Sequence, residues 1–162
     1  MLCKLLAVGC TAHPAARTGL PDRFVLVPQQ LLTHSDSPLP EHHRLIEDLC
    51  VQRADMAHRL GLPASDEPIH IYVFETPERF EEFLRYQHPD FPRRRAFFVE
   101  TDTRLIVYAQ WGDKMGDDLR HEVAHAYLHA AVRNIPLWLD EALAEYYECH
   151  PSRLGVNPKQ LD

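Results

Sequence analysis

Asn134, Ile135 and Pro136 join two helical patterns, one that begins after Gly112 and Gly116 and one carried by PLWLDEALAEYYE, Pro136 to Glu148. Helices connected by so short a turn pack antiparallel. The chain must therefore build a helical hairpin whose inner faces meet, and everything before it has to supply the layer on which that hairpin rests.

The preceding segments alternate between strand and helix patterns. RFVLVPQQ reads as a strand, and Leu31 to Pro40, with its Ser, Asp and Pro, reads as the loop that follows. From Glu41 to Leu60, Leu45, Ile46, Leu49, Met56, Ala57 and Leu60 recur at helical spacing, and Gly61 and Pro63 supply a stop. IHIYVFE, Ile69 to Glu75, alternates as a strand, and Thr76 with Pro77 forms the cap and first turn of a helix through ERFEEFLRYQ. AFFVE and RLIVYA, separated by Thr101, Asp102 and Thr103, read as a hairpin or as neighbouring strands with a tight connection. This order predicts an α+β domain, a small mixed β-sheet with packed helices. A chain of 162 residues has the length of one domain.

Composition limits the partners. Hydrophobic residues make up 45% and charged residues 25%, an ordinary globular balance, and the formal net charge is -7. That charge argues against nucleic acid as a partner, because nonspecific binding needs a broad positive surface. The basic cluster Arg93, Arg94 and Arg95 is expected to be the solvated start of a strand, with no binding role. No apolar run approaches the roughly eighteen residues of a membrane helix, so no membrane span is expected.

Chemistry concentrates on the hairpin. His121, Glu122 and His125 form HExxH, and on a helix the two imidazoles stand one turn apart on one face, able to converge on one ion. Glu122 lies about 100° further round, where it can act on a water at the metal as a general base. HExxH alone is a weak signal. A catalytic zinc also needs a third protein ligand, and His₂Glu is a standard set, which either Glu141 or Glu145 on the second helix could complete. His129 is expected to be a packing residue or an outer partner of a ligand rather than a ligand itself, because residues at i and i+8 are separated by about 12 Å along a helix. Trp138 and Leu139 are expected in the core beneath the second helix.

HEVAH followed by PLWLDEALAEY resembles the gluzincin zinc metallopeptidases, and most of all the bacterial peptidase-MA-like, or DUF1570-like, proteins. The resemblance covers about Phe97 to Glu148, and it implies a zincin-like fold with Zn²⁺ held by His121, His125 and Glu141. It further implies Glu122 as the catalytic base and Glu145 as an outer partner of a ligand histidine. The implied function is zinc-dependent hydrolysis of peptide bonds, with a peptide or protein substrate laid against an edge strand, here RLIVYA. The alternative is a zinc-binding pseudoenzyme or incomplete peptidase with little activity. Gluzincins draw a donor for the tetrahedral intermediate from downstream of the third ligand. Tyr146, Tyr147, His150 and Tyr108 are the residues available for it, unless a C-terminal part is missing after Asp162.

Residues 1–22 are expected to be a tail ahead of a peptidase domain over 23–162. MLCKLLAVGC is similar to the end of a lipoprotein signal with Cys10 as the lipidated residue, though its apolar core is shorter than the usual 7 to 15 residues. Extracytoplasmic anchoring and a cytoplasmic location both stay open. No CxxC spacing occurs among Cys3, Cys10, Cys50 and Cys149, and Cys50 with Cys149 is the one disulfide suggested for a processed chain. The remaining histidines, among them His13, His34, His42 and His43, are assigned to surface or packing.

Overall fold

The protein is described by a computed structural model over residues 19–40 and 43–149. Its elements are β1 (Phe24–Leu26), β2 (Leu31–Ser35), α1 (Arg44–Leu60), β3 (Ile69–Phe74), α2 (Pro77–Gln87), β4 (Ala96–Glu100), β5 (Leu105–Gln110), α3 (Met115–Ala131) and α4 (Leu137–Glu148). They form an α+β domain around a mixed five-stranded sheet in the order β1-β2-β3-β5-β4. Strands β2, β3 and β5 run parallel, while β1 and β4 pair antiparallel at the two edges.

Leu31 to Ser35, expected as loop, is instead strand β2. Pro28 lacks an N–H and Gln29 takes a positive φ of 52°, so the first strand ends early and turns. The chain then returns with Leu31, Thr33 and Ser35 buried, paired to β3 in register from Leu31 opposite Ile69 to Ser35 opposite Val73. Pairing on both sides outweighs the polar composition, and only the part after Ser35 keeps its loop character. Helix α1 starts at Arg44 rather than Glu41, with residues 41–42 outside the described residues, and ends as expected at Gly61, whose φ of 62° suits glycine. Thr76 caps α2 by accepting from the Arg79 N–H at 3.3 Å.

Alternation in β3 sends Ile69, Ile71 and Val73 to one face and Tyr72 and Phe74 to the other. The first face packs on α1 and α3 through Leu49, Met56, Leu119 and Val123. The second packs on α2 through Phe80, Phe83 and Leu84. Helix α3 is buried nearly all round, because the sheet lies on one side and α1 and α4 on others. A helix so enclosed holds its side chains in fixed directions, which is what a ligand site requires.

Polar ties register α3 against α1. Tyr127 donates to the Leu49 carbonyl at 3.1 Å, and Gln52 donates to the Arg120 carbonyl at 2.8 Å. Burial raises the Tyr127 phenol well above its ordinary pKa, so it stays a donor. Tyr127→Phe is expected to lower stability by about 1 kcal/mol, read as a shift of the urea midpoint with an unchanged slope. An unchanged midpoint would mean that this bond contributes nothing. Cys50 and Cys149 are not joined in a disulfide. Cys3, Cys10, His13, His42 and His150 lie outside the described residues.

Candidate metal centre

His121 and His125 project from α3 with their Nε2 atoms 3.3 Å apart. Helix α4 brings Glu141 Oε2 to 3.8 Å from His121 Nε2 and 3.9 Å from His125 Nε2. These three atoms form the one cluster of metal-ligand type found among the described residues. A tetrahedral zinc ion with Zn–N bonds of about 2.05 Å separates two imidazole nitrogens by roughly 3.3 Å, so the histidine pair fits the ion. Glu141 stands about 0.5 Å too far for the same geometry. Its side chain is half-exposed, so it has room to close that gap. A zinc ion takes four ligands, so two nitrogens and one carboxylate would leave its fourth position for water or substrate.

The outer sides of the imidazoles meet carboxylates. His125 Nδ1 lies 2.9 Å from Asp140 Oδ1, a close contact of two buried groups that is not aligned as a hydrogen bond. His121 Nδ1 lies 3.5 Å from Glu148 Oε2. A carboxylate beside Nδ1 favours a proton there and leaves Nε2 with its lone pair toward the ion. Asp140 also reaches a third histidine. Its Oδ2 is 3.1 Å from His129 Nε2, and His129 Nδ1 is 2.6 Å from Glu100 Oε2 on β4. Burial works to lower the His129 pKa, but the hydrogen bonds to Glu100 and Asp140, with the charges of those carboxylates, outweigh it and the pKa is raised. Both ring nitrogens then donate, each to its own carboxylate.

Glu145, expected beside a ligand histidine, is exposed and is a partner of neither His121 nor His125. The helical wheel gives the reason. The inward stripe of α4 is Asp140, Ala144 and Tyr147, and Glu145 lies roughly 140° from its centre. Asp140 was the residue missed, and its signal was a carboxylate in register at i, i+4 and i+7 with two apolar residues. The same wheel corrects Trp138, which is 72% exposed rather than core, and Leu139, which is only half-buried.

Glu122 is buried beside the histidines, and its Oε2 accepts the Phe98 N–H at 2.8 Å. Burial raises its pKa, against smaller lowering effects from His121, the Phe98 N–H and Arg94. Strand β5, which takes up RLIVYA from Leu105 onward, is not an edge, since it lies between β3 and β4. The edge next to the histidines is β4. The bonds from Gln110 N to Arg95 O and from Thr101 N to Arg104 O fix the alternation of the ladder. The backbones of residues 96, 98 and 100 therefore point away from β5, on the side where Phe98 meets Glu122. Arg95 clamps Asp118 at the start of α3 with bonds of 2.7 and 2.8 Å, holding the head of β4 against the site helix.

None of the three described tyrosines considered as donors reaches the histidines. Tyr108 stacks on Tyr72 on the opposite face of the sheet. Tyr147 lies beside Asp55 with its pKa pushed up to about 12, chiefly by burial, and Tyr146 is near Arg59. No protein-family model matches the chain, and no curated protein matches it.

Proposed function

We propose that the protein is a zinc-dependent peptidase. The observation that carries this is the triangle of His121 Nε2, His125 Nε2 and Glu141 Oε2, with sides of 3.3, 3.8 and 3.9 Å. Zinc held there supplies a Lewis acid and lowers the pKa of water toward neutrality. His121 and His125 keep Nε2 toward the ion while Glu148 and Asp140 occupy their outer sides. Glu122 takes the proton of the attacking water on the oxygen that Phe98 leaves free, then returns it to the leaving amine. An extended peptide adds to the outward edge of β4, pairing with backbone groups of residues 96 and 100 and with the Phe98 carbonyl while the Phe98 N–H stays on Glu122, and bringing its own carbonyl to the site.

A second reading, a zinc-binding protein with little hydrolytic activity, is favoured by the absence of Tyr108, Tyr146 and Tyr147 from the metal side, since the tetrahedral intermediate needs a donor. Metal analysis and a mixed peptide library test both. The peptidase reading expects one zinc per chain in the wild type, a trace in His121→Ala, and cleavage abolished by chelator and restored by zinc. Zinc with no cleavage supports the second reading. A wild type without zinc overturns both.

A further inference from the structure

Glu100, His129 and Asp140 connect the β4 edge of the sheet to the helix that presents Glu141. Glu100 is the last residue of β4, His129 is on the last turn of α3, and Asp140 is on the first turn of α4. The separations along this line are 2.6 Å and 3.1 Å, and it ends 2.9 Å from His125. Asp140 is 7% exposed, so water has little access to the carboxylate if His129 is removed. Phe98 runs alongside, its ring 5.1 Å from the His129 ring and 6.2 Å from the His125 ring. An exposed His–Glu pair would be a screened surface contact of little value. A histidine held between two carboxylates, one of them buried against a ligand imidazole, is in a different position.

We infer that His129 is a positioning residue: anchored by Glu100 on β4, it holds Asp140 in the orientation that sets His125 for the metal. This rests on the zinc reading above, and it goes beyond that reading by giving a role to the third histidine of the helix and to the end of β4. Asp140 has two oxygens and two imidazoles to serve. With Oδ2 fixed by His129, rotation of the carboxylate is blocked and Oδ1 stays at His125 Nδ1. Without His129, the carboxylate turns, the His125 ring follows, and its Nε2 leaves the 3.3 Å relation to His121 Nε2. Outer groups of this kind alter metal affinity without touching the ion.

The test uses two amide substitutions that imitate different ring nitrogens. His129→Gln keeps a donor near the Nε2 position, toward Asp140, while His129→Asn keeps one near Nδ1, toward Glu100. Zinc affinity is measured by competition with a chromogenic chelator, and melting of the zinc-free proteins is measured alongside. The expected result is a loss of about ten-fold in zinc affinity for His129→Asn and about two-fold or less for His129→Gln. The difference between them should collapse when Asp140→Asn is also present, because the effect passes through that carboxylate. Equal losses in the two variants, no loss in either, or a difference that persists undiminished with Asp140→Asn overturns the inference. Equal melting of both zinc-free variants, alongside unequal affinities, separates positioning from a merely structural role. A wild type that takes up no zinc removes the reading on which the inference stands and overturns both, whereas zinc bound equally by all variants overturns the positioning role alone.

Discussion

Glu122→Gln is expected to keep zinc at the wild-type stoichiometry and to lower peptide hydrolysis by about 10²- to 10⁴-fold, the usual share of a general base. The substitution keeps the shape of the side chain and an oxygen to accept the Phe98 N–H, so it removes basicity and little else. It also has a consequence for stability. Burial raises the Glu122 pKa in the zinc-free fold, so the fold favours the protonated carboxyl. A group raised in this way contributes stability at low pH that is lost as pH rises through its folded pKa. The zinc-free wild type should therefore lose melting temperature from this group as pH rises from its unfolded carboxylate pKa through its raised folded pKa, and Glu122→Gln should lose less. Bound zinc adds positive charge beside the carboxyl and shifts the balance back toward the ionised base. Zinc-bound Glu122→Gln with undiminished cleavage excludes Glu122 as the base, and an equal pH dependence of melting in the two zinc-free proteins excludes the burial effect.

The fold was legible in sequence wherever a local pattern matched its tertiary surroundings. Thr76 and Pro77 start α2 because capping chemistry is local, and Gly61 ends α1 because its positive φ is local too. Strand β2 was not legible, since LLTHS has no strand composition of its own and becomes a strand by lying between β1 and β3. Edge position was also hidden. RLIVYA and AFFVE form the expected hairpin, but which of them faces β3 is decided by the order of the whole sheet.

At the site, helical period and a short connection brought the His121–His125 pair toward Glu141 or Glu145 alike, and only the resemblance pointed to Glu141, the one that lies beside the pair. The outer carboxylates were not readable. Choosing Asp140 over Glu145 required knowing which side of α4 is buried, and the exposed Leu137 and Trp138 at its start misdirect that choice. Asp140, Ala144 and Tyr147 carry the correct stripe. A polar residue at its head makes the stripe look shorter than it is. The contact from Glu100 to His129 spans 29 positions and has no local signature at all.

Replacing the two ligand histidines should have one effect in common and one that differs. His121→Ala and His125→Ala are each expected to reduce bound zinc to a trace, since two remaining protein ligands do not make a closed set. Wild-type protein with zinc at about a thousand times its dissociation constant gains about 4 kcal/mol of stability by mass action, and neither variant should show that gain. In chelator the two should part. The His125 side chain is 8% exposed, and its removal takes the neighbouring imidazole away from a buried carboxylate oxygen that has no hydrogen bond of its own, in a place that water reaches poorly. That costs about 1 to 3 kcal/mol. The His121 side chain is 20% exposed, and its neighbour Glu148 is 34% exposed, so water can take over the lost contact and the cost stays below about 1 kcal/mol. Thermal melts with and without zinc measure both effects. A zinc-dependent rise retained in either variant removes that residue from the ligand set. Equal melting of the two in chelator means that Asp140 does not depend on His125, and the carboxylate would then belong to His129 and the end of β4 alone.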